Sequence, residues 1–312
     1  MTEFELISQY INSQSLSRHD VSKGIGDDCA ILNVPDNKSL AVSMDTLVEG
    51  VHFPVNTPAY LIGYKSLAVN LSDLAASGAE PSWVSLSLTM PESNQQWLKE
   101  FLDGFFTLAN QYNVQLVGGD TTRGALSISV QIHGFVQHAL LRSGAQIDDL
   151  VFVSGHLGDA AAGFEMVMEN GNTESECIER FNRPVPRVEL GLKLLKVASS
   201  CIDISDGLVS DLGHICQQSQ CGAEINLGSI PLSESFLDYY KKPDYEKALG
   251  FGDDYELCFT VSIENQAMIE NIARELNLEL SCIGKITTGK ELYFIDGHNN
   301  KIDLKKGYEH FA

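Results

Sequence analysis

Seven aspartates stand beside glycine, serine or the ends of apolar runs rather than on the polar faces of helices. Carboxylates at the carboxyl ends of strands converge on the crevice in which open α/β sheets bind ligands. Several carboxylates in one crevice repel one another unless a cation lies among them, and hard oxygen ligands select Mg²⁺ or Ca²⁺. The pattern predicts a site for several magnesium ions, with candidate ligands Asp27, Asp28, Asp45, Asp73, Asp120, Asp203 and Asp206.

Each of these acids also has an ordinary structural role open to it. Aspartates next to glycine form turns, and serine or aspartate before an apolar run caps a helix. A capping role and a ligand role are compatible at a helix start. The structural alternatives are a turn at Asp27, Asp28, Asp45 and Asp120, a solvated helix face at Asp73, and a helix cap at Asp203 and Asp206.

The sequence offers one candidate phosphate-binding segment. It contains no Walker-type motif, and neither GIGDDC nor GFGDDY completes the dinucleotide-binding glycine pattern. In the segment from Gly118 to Arg123, glycine amides and a guanidinium could hold phosphate while Asp120 supplies a metal ligand. Arg142 could reach a phosphate lying between domains, with an interdomain salt bridge as the alternative. Acidic residues without an evident nucleophile suit phosphoryl transfer, which depends on positioning and charge neutralisation.

Other chemistries have weaker support in the sequence. His52 lacks a histidine at i+4, so it is not half of a zinc helix motif and reads as a packed or capping residue. No G-x-S-x-G elbow supports a serine hydrolase. The seven cysteines are scattered without a C-x-x-C pair, which predicts reduced core residues rather than a disulfide framework.

The composition of the chain narrows the classes of partner that it can bind. At 312 residues and 44% hydrophobic content, the chain has material for two domains with two cores. Its 21 basic and 42 acidic residues give a net charge of −21, which repels nucleic acids and anionic lipid surfaces. No basic region precedes an apolar stretch near Met1, and no apolar run approaches the length of a membrane span. We therefore expect a cytoplasmic protein.

Strand and helix patterns alternate along the whole chain, which predicts an α/β protein. Gly144 and the acids of LRSGAQIDDL, residues 141–150, precede a fresh apolar strand, so we place a domain boundary there. In the first half we expect strands at 30–34, 39–45, 83–90, 114–120 and 125–136 and helices at 60–77 and 94–112. In the second half we expect strands at 150–155, 201–205, 223–227 and 255–262 with two closing strands, and helices from 159, at 207–218, around 236–249 and at 264–276.

An ordered set of motifs spans residues 4–311 and resembles the bacterial thiamine-monophosphate kinases. The motifs are GIGDDCAIL, SMDTLVEGVHF, YKSLAVNLSDLAASGAEP, VGGDTTRG, LRSGA, IDISDGLVSDLGHI, GDDYELCF and KGYEHF. The resemblance implies a two-domain α/β (α+β) architecture like that of aminoimidazole ribonucleotide synthetase (PurM-like), each domain a mixed β-sheet with helices packed on it. Residues 1–140 would form an N-terminal ATP- and Mg²⁺-binding dimerisation domain, and residues 141–312 a C-terminal domain completing the nucleotide and substrate site.

The resemblance also implies an activity and its residues. The activity is ATP-dependent phosphorylation of thiamine monophosphate to thiamine diphosphate by direct, Mg²⁺-assisted transfer in a homodimer, with no catalytic side chain beyond the binding residues. Met44 stands where threonine is common and would contribute its backbone carbonyl, while Asp253 stands where glutamate is usual. The implied metal ligands are Asp28, Ser43, Met44, Asp45, Asp73, Asp120, Asp203 and Asp206, the nucleotide contacts Gly119, Asp120, Arg142 and Ser205, and the substrate contacts His52, Asp253 and Tyr308.

The chemistry of thiamine monophosphate agrees with the implied substrate contacts. Thiamine monophosphate carries a thiazolium cation, which the carboxylate of Asp253 and the aromatic face of Tyr308 would favour. Its phosphate is already ionised at neutral pH, so no general base is required.

Two alternatives stay open at the level of sequence, and two others are disfavoured. Another ATP-dependent member of the superfamily could act on a ribonucleotide. Selenide chemistry is disfavoured because no cysteine lies in a glycine-rich N-terminal loop, and hydrogenase maturation because the sequence ends GYEHFA without a terminal cysteine. A non-catalytic module that binds a divalent cation or a nucleotide is the alternative from a different class.

Overall fold

The computed structural model describes residues 14, 16–171, 174–304 and 307. The chain divides into two compact units. The first comprises Met1–Leu74 and Ala79–His138, and the second comprises Ala75–Gly78 and Ala139–Ala312. Each unit contains a sheet with helices, so the predicted two-domain α/β fold is confirmed.

The first unit is built on a four-stranded mixed sheet with the strand order β3-β6-β4-β5. Strands β4 and β5 are parallel, whereas β6 is antiparallel to both β3 and β4. Two short strands, β1 and β2, pair with each other outside this sheet. The elements are β1 (Val21–Lys23), β2 (Ile31–Leu32), β3 (Ser39–Val48), α1 (Ala59–Ala76), β4 (Glu80–Met90), α2 (Gln95–Gln111), β5 (Gln115–Arg123) and β6 (Ser127–Val136).

Side-chain periodicity explains these elements. In β6 every second residue is apolar, and Ile128, Val130 and Ile132 are fully buried. This alternation is that of a sheet with one face on the core. Helix α2 is amphipathic, and it begins where the Asn94 side chain accepts the N–H of Trp97 at 3.1 Å. Capping of this kind satisfies one of the unpaired N–H groups of a helix start.

The second unit contains a seven-stranded sheet in the order β13-β12-β9-β11-β7-β10-β8. All neighbours are antiparallel except β9 and β12. Its strands are β7 (Leu150–Ser154), β8 (Ala198–Asp203), β9 (Gly222–Asn226), β10 (Leu257–Val261), β11 (Leu280–Thr287), β12 (Leu292–Ile295) and β13 (Lys301–Ile302). Its helices are α3 (Asp159–Asn170), α4 (Glu176–Asn182), α5 (Val188–Leu194), α6 (Leu208–Ser219), α7 (Glu234–Tyr240), α8 (Tyr245–Gly250) and α9 (Gln266–Leu276), with 3₁₀ turns at Leu227–Ser229 and Ile263–Asn265.

The structure differs from the predicted elements at several places, and three of them are described first. The strand expected at 30–34 is only two residues long. The helical region expected around 236–249 is two helices, because Lys241 ends α7 in the left-handed region and Pro243 precedes the Asp244 cap of α8. Pro243 cannot continue a helix from the preceding turn. Three strands rather than two follow α9.

Membrane insertion through a helix finds no support in the described part of the chain. None of the helices there combines the length and the apolar character that crossing a bilayer requires.

Candidate active site

The first unit joins two of the predicted metal ligands directly. The Ser43 hydroxyl on β3 donates a hydrogen bond to the Asp73 carboxylate on α1, and both side chains are partly buried. Ser43 pairs with Ile132 and Asp45 with Val130 across the sheet, so Ser43 and Asp45 lie two positions apart on one side of β3. The hydroxyl and both carboxylates offer only oxygen donors.

The expectation that Asp45 and Asp120 lie at strand ends is wrong. Strand β3 continues three residues past Asp45 to Val48, and β5 continues three past Asp120 to Arg123. The threonine, leucine and valine after Asp45 favour extended structure, so β3 does not turn there. Asp120 is exposed and lies in a row across the sheet with Ser87, Ser129 and Thr46, whereas Asp45 belongs to the neighbouring row.

Gly119 occupies a position that only glycine fits. A β-carbon built there would lie 1.8 Å from the Leu86 carbonyl oxygen, well inside van der Waals contact, whereas one at Gly118 would meet nothing within 4 Å. The backbone at Gly119 therefore approaches β4 closely, immediately before Asp120. Further along β5, Arg123 donates from Nε to the Pro91 carbonyl at 3.3 Å.

Asp27 and Asp28 lie in an exposed turn. The Asp28 N–H donates to Asp27 Oδ1 at 3.0 Å, and Lys23 Nζ lies 3.4 Å from Asp27 Oδ2. The Asp28 N–H and the Lys23 ammonium hold the pKa of Asp27 below its usual value. Asp27 therefore has the turn-forming role that is the alternative to metal binding, while the side chain of its neighbour Asp28 lies at the surface.

His52 caps a tight turn after β3. Its backbone N–H donates to the Val48 carbonyl at 3.0 Å, and its Nδ1 accepts the Val48 N–H at 3.0 Å. A ring nitrogen that accepts a backbone N–H belongs to the neutral imidazole, with its proton on Nε2. The two hydrogen bonds fix the direction of the ring.

In the second unit, the segment after β8 carries three predicted ligands. Asp203 ends the strand and is buried, while Ser205 and Asp206 lead into α6 and are partly buried. The Asp206 N–H donates to Asp211 Oδ2 at 3.0 Å. Burial, together with the negative charge of Asp206, raises the pKa of Asp211 to about 7.

The segment containing Asp253 packs directly against this loop. Its N–H donates to the Ser205 carbonyl at 2.9 Å, and the Tyr255 N–H donates to the Ile204 carbonyl at 2.9 Å. Asp253 has φ 66° and Tyr255 has φ 50°, so both lie in the left-handed region, which is sparsely populated except by glycine, asparagine and aspartate. Two such residues in one short segment indicate strain that the surrounding hydrogen bonds maintain.

The neighbouring acid has a structural role. Asp254 accepts the Gly158 and Ala160 N–H groups at 2.9 and 3.2 Å at the start of α3. Burial raises the pKa of Asp254 well above its usual value.

Two further predicted contacts concern this unit. Arg142 is exposed, and its carbonyl accepts the Ser219 hydroxyl at 3.1 Å. Tyr308 lies outside the described residues. Its neighbour Gly307 is described, and the Gly307 N–H donates to Ser210 Oγ at 3.0 Å on the first turn of α6. The structure therefore brings Asp203, Ser205, Asp206 and Asp253 together with the residue that precedes Tyr308.

Magnesium suits the donors in both units. Among the described residues no three His, Cys, Asp or Glu side chains lie close enough to hold an ion by themselves. Mg²⁺ is usually bound octahedrally by one or two carboxylates, with water and phosphate oxygens as the remaining ligands. In addition, Asn70 Oδ1 on α1 is buried without a hydrogen-bond partner, three residues before Asp73. This oxygen is a further hard donor on the same helix, which sequence reasoning did not single out.

Comparison with known proteins identifies the class. Residues 26–136 match the family of AIR synthase related proteins, N-terminal domain, and residues 146–297 match the corresponding C-terminal domain. The fold and the oxygen-rich segments therefore define a two-domain protein of the AIR synthase related class. The chain is 47% identical to the thiamine-monophosphate kinase of Buchnera aphidicola subsp. Acyrthosiphon pisum over 99% of both chains. It belongs to the thiamine-monophosphate kinase family.

Solved structures of the family agree with this assignment. The crystal structure of thiamine-monophosphate kinase from Stenotrophomonas maltophilia K279a is 43% identical with a TM-score of 0.88, covering 94% of this chain and 96% of that one. The structure of AaThiL complexed with AMPPCP and TMP is 34% identical with a TM-score of 0.80, covering 93% of each chain.

Proposed function

We propose that this chain transfers the γ-phosphoryl group of ATP to thiamine monophosphate, giving thiamine diphosphate and ADP. The observation that carries the proposal is similarity to thiamine-monophosphate kinases over essentially the full length of the chain. AaThiL, whose complex contains AMPPCP and TMP, supports this pair of substrates. The reaction would be the last step in making thiamine diphosphate.

The transfer needs no nucleophilic side chain. An oxygen of the thiamine monophosphate phosphate forms a bond to the γ-phosphorus, and the bond from that phosphorus to the β,γ-bridging oxygen breaks, so ADP leaves with the electron pair. The attacking oxygen is already ionised at neutral pH, so no proton must be removed. The protein's task is to align two anions that repel each other and to neutralise their charge.

The nucleotide and its metal ions would be held by the residues that the family resemblance implies. Gly119 offers close backbone approach next to Asp120, and Ser205 and Arg142 offer a hydroxyl and a guanidinium for phosphate oxygens. Magnesium, when bound, neutralises phosphate charge during the transfer. The proposed metal ligands are the side chains of Asp28, Ser43, Asp45, Asp73, Asp120, Asp203 and Asp206 and the backbone carbonyl of Met44.

The thiamine moiety would be held by different groups. The Asp253 carboxylate pairs with the thiazolium cation, and Tyr308 stacks on it. His52, with its ring direction fixed by Val48, provides a polar group from the first unit. Asp253 is in a conformation that aspartate tolerates better than glutamate.

We also propose a homodimer formed through the first unit. Strand β3 is an edge strand of the four-stranded sheet, and its outward side chains Leu40, Val42 and Met44 are 40, 52 and 58% exposed. A contiguous exposed apolar patch marks an interaction surface, and a second copy of the chain would cover it here. The free thiols of all seven cysteines suit the reducing cytoplasm, where we place the protein.

The test is an assay of purified protein with ATP, Mg²⁺ and thiamine monophosphate, with products separated by chromatography and free thiamine as the control. Thiamine diphosphate formed from the monophosphate but not from thiamine is the expected result. ATP turnover that ignores both compounds would assign the chain to another activity of its class, and the absence of any turnover would favour a binding module.

A further inference from the structure

Helix α6 carries a polar side chain near each end that bonds to the backbone of another segment. Asp211 lies in its first turn, and Ser219 is its last residue. Asp211 bonds to the loop of Ser205 and Asp206, and Ser219 bonds to the loop that begins at Arg142. Neither side chain belongs to the proposed set of metal, nucleotide or substrate contacts.

Asp211 is placed to hold the first loop. It is 2% exposed, and its Oδ2 accepts the Asp206 N–H at 3.0 Å. A buried acceptor for this N–H fixes the peptide plane between Ser205 and Asp206. The Asp206 side chain leaves the backbone in a direction set by this plane, and Ser205 is held on the other side of the same peptide.

Ser219 holds the second loop with all the hydrogen bonds that a hydroxyl can make. Its Oγ accepts the N–H groups of Gly144 and Ala145, each at 3.1 Å, and donates to the Arg142 carbonyl at 3.1 Å. The exposed Arg142 side chain therefore starts from a backbone that is tied to the end of α6. The charge of Arg142 also acts to lower the pKa of Asp211, in the first turn of α6.

We infer that Asp211 and Ser219 are positioning residues, through which α6 holds the two nucleotide-contacting segments of this unit in a fixed relation. This inference rests on the proposed function for the roles of Arg142, Ser205 and Asp206. Asp211 and Ser219 do not touch the reacting atoms. They set the geometry in which the guanidinium of Arg142, the hydroxyl of Ser205 and the carboxylate of Asp206 meet the nucleotide.

The first experiment measures nucleotide binding without turnover. Calorimetry gives the Kd for ATP with Mg²⁺, without thiamine monophosphate, for the full-length wild type and the variants Asp211→Asn and Ser219→Ala. Each variant is expected to raise this Kd about 5- to 10-fold, since Asp211→Asn replaces the anionic acceptor of the Asp206 N–H by a weaker neutral one and Ser219→Ala removes three hydrogen bonds. The KM for thiamine monophosphate should stay within about twofold, because neither side chain is a proposed contact of that substrate.

Asp159→Asn and Ser233→Ala are matched controls. Asp159 is buried like Asp211, and Ser233 caps α7 by accepting the Phe236 N–H at 3.0 Å. Ser233→Ala should lower the Tm, and both controls should leave the Kd for ATP unchanged within about twofold, because their partners lie outside the two loops. A fall in Tm with an unchanged Kd in Asp211→Asn and Ser219→Ala as well would overturn the inference.

A double-mutant cycle with Arg142→Ala decides between positioning and a general effect. If Ser219 acts through Arg142, adding Ser219→Ala to Arg142→Ala should raise the Kd by less than about twofold. Fully additive effects contradict the inference. The cycle changes only Arg142 and the half-buried Ser219. It therefore still decides the question if Asp211→Asn does not fold.

The same data separate this inference from the proposed function. A wild type that binds ATP but never phosphorylates thiamine monophosphate would refute the proposed function, while the cycle still decides the positioning roles. A wild type that binds no ATP would overturn both.

Discussion

Ser43 and Asp73 are 30 residues apart in the chain, and a hydrogen bond from the Ser43 hydroxyl to the Asp73 carboxylate joins β3 to α1. This contact places the two side chains on one site although they come from a strand and a helix. Both remain partly exposed, so water, phosphate or a cation can reach them. The pair is therefore available for function as well as for stability.

Asp73→Asn tests the functional role of this pair. We expect turnover of thiamine monophosphate to fall at least about 100-fold and the Mg²⁺ dependence to shift to higher concentration, because a hard anionic ligand is lost. The Tm should change little, since an amide still accepts the Ser43 hydroxyl. Steady-state rates across a Mg²⁺ titration provide the measurement, and near-normal turnover would remove Asp73 from the site.

The neighbouring glycines Gly118 and Gly119 make a matched pair of variants. We expect Gly119→Ala to destabilise the first unit by about 3 kcal/mol, because its β-carbon would clash with the Leu86 carbonyl on β4. Gly118→Ala should be tolerated, since nothing lies within 4 Å of the added carbon. Urea unfolding of both variants measures the difference, and equal stability would contradict the close approach of β5 to β4.

Asp253→Asn tests recognition of the cationic substrate. The amide keeps the shape and tolerates the left-handed backbone, but it cannot pair with a thiazolium charge. The KM for thiamine monophosphate should rise about 10-fold while the KM for ATP stays within about twofold. Asp148→Asn is the matched control, because Asp148 is an exposed acid that, like Asp253, has a positive φ. Equal effects of the two variants would argue against the assigned contact.

The ion pair of Arg18 and Asp20 predicts an acid-sensitive first unit. Arg18 donates to both Asp20 oxygens at 3.0 and 2.7 Å, and the Trp83 indole donates at 3.0 Å. Burial acts to raise the pKa of Asp20, but the hydrogen bonds from Arg18 and Trp83 outweigh it and hold that pKa below 3.8. A lowered carboxyl pKa contributes stability that is present above the unfolded value and is lost as the pH falls through the folded one.

Asp20→Asn should therefore destabilise the protein by about 2–3 kcal/mol at pH 7. The difference from the wild type should shrink as the pH falls from about 5 to 2.

Asp159→Asn should show the opposite pH dependence of stability, because burial raises the pKa of Asp159. The stabilisation from the wild-type Asp159 is present at low pH and is lost as the pH rises. Denaturant melts at several pH values measure both, and parallel curves would contradict the two assignments.

Sequence patterns predicted most of the elements because their periodicity is strong. The alternation in β6 and the apolar face of α2 are the same in the structure as in the sequence pattern. The predicted end of β8 lies within two residues of its observed end at Asp203. Asp45 was misplaced because the end of a strand depends on its pairing, and β6 pairs with β3 as far as Val48. Asp211 was missed because a polar residue among helical residues reads as solvated, and only tertiary packing buries it.

The surroundings of Ser205 and Asp206 also set an order of events during synthesis. A β-carbon at Gly252 would lie 2.3 Å from the Ser205 carbonyl oxygen, and one at Gly307 would lie 1.8 Å from that of Asp206. Three distant stretches of chain thus meet at one loop, and the last of them follows β13. Because a growing chain folds from its N-terminus, the loop receives this neighbour only after every strand of the seven-stranded sheet has been made. A chain truncated after β13 would keep its sheet and lack the residue that closes the loop.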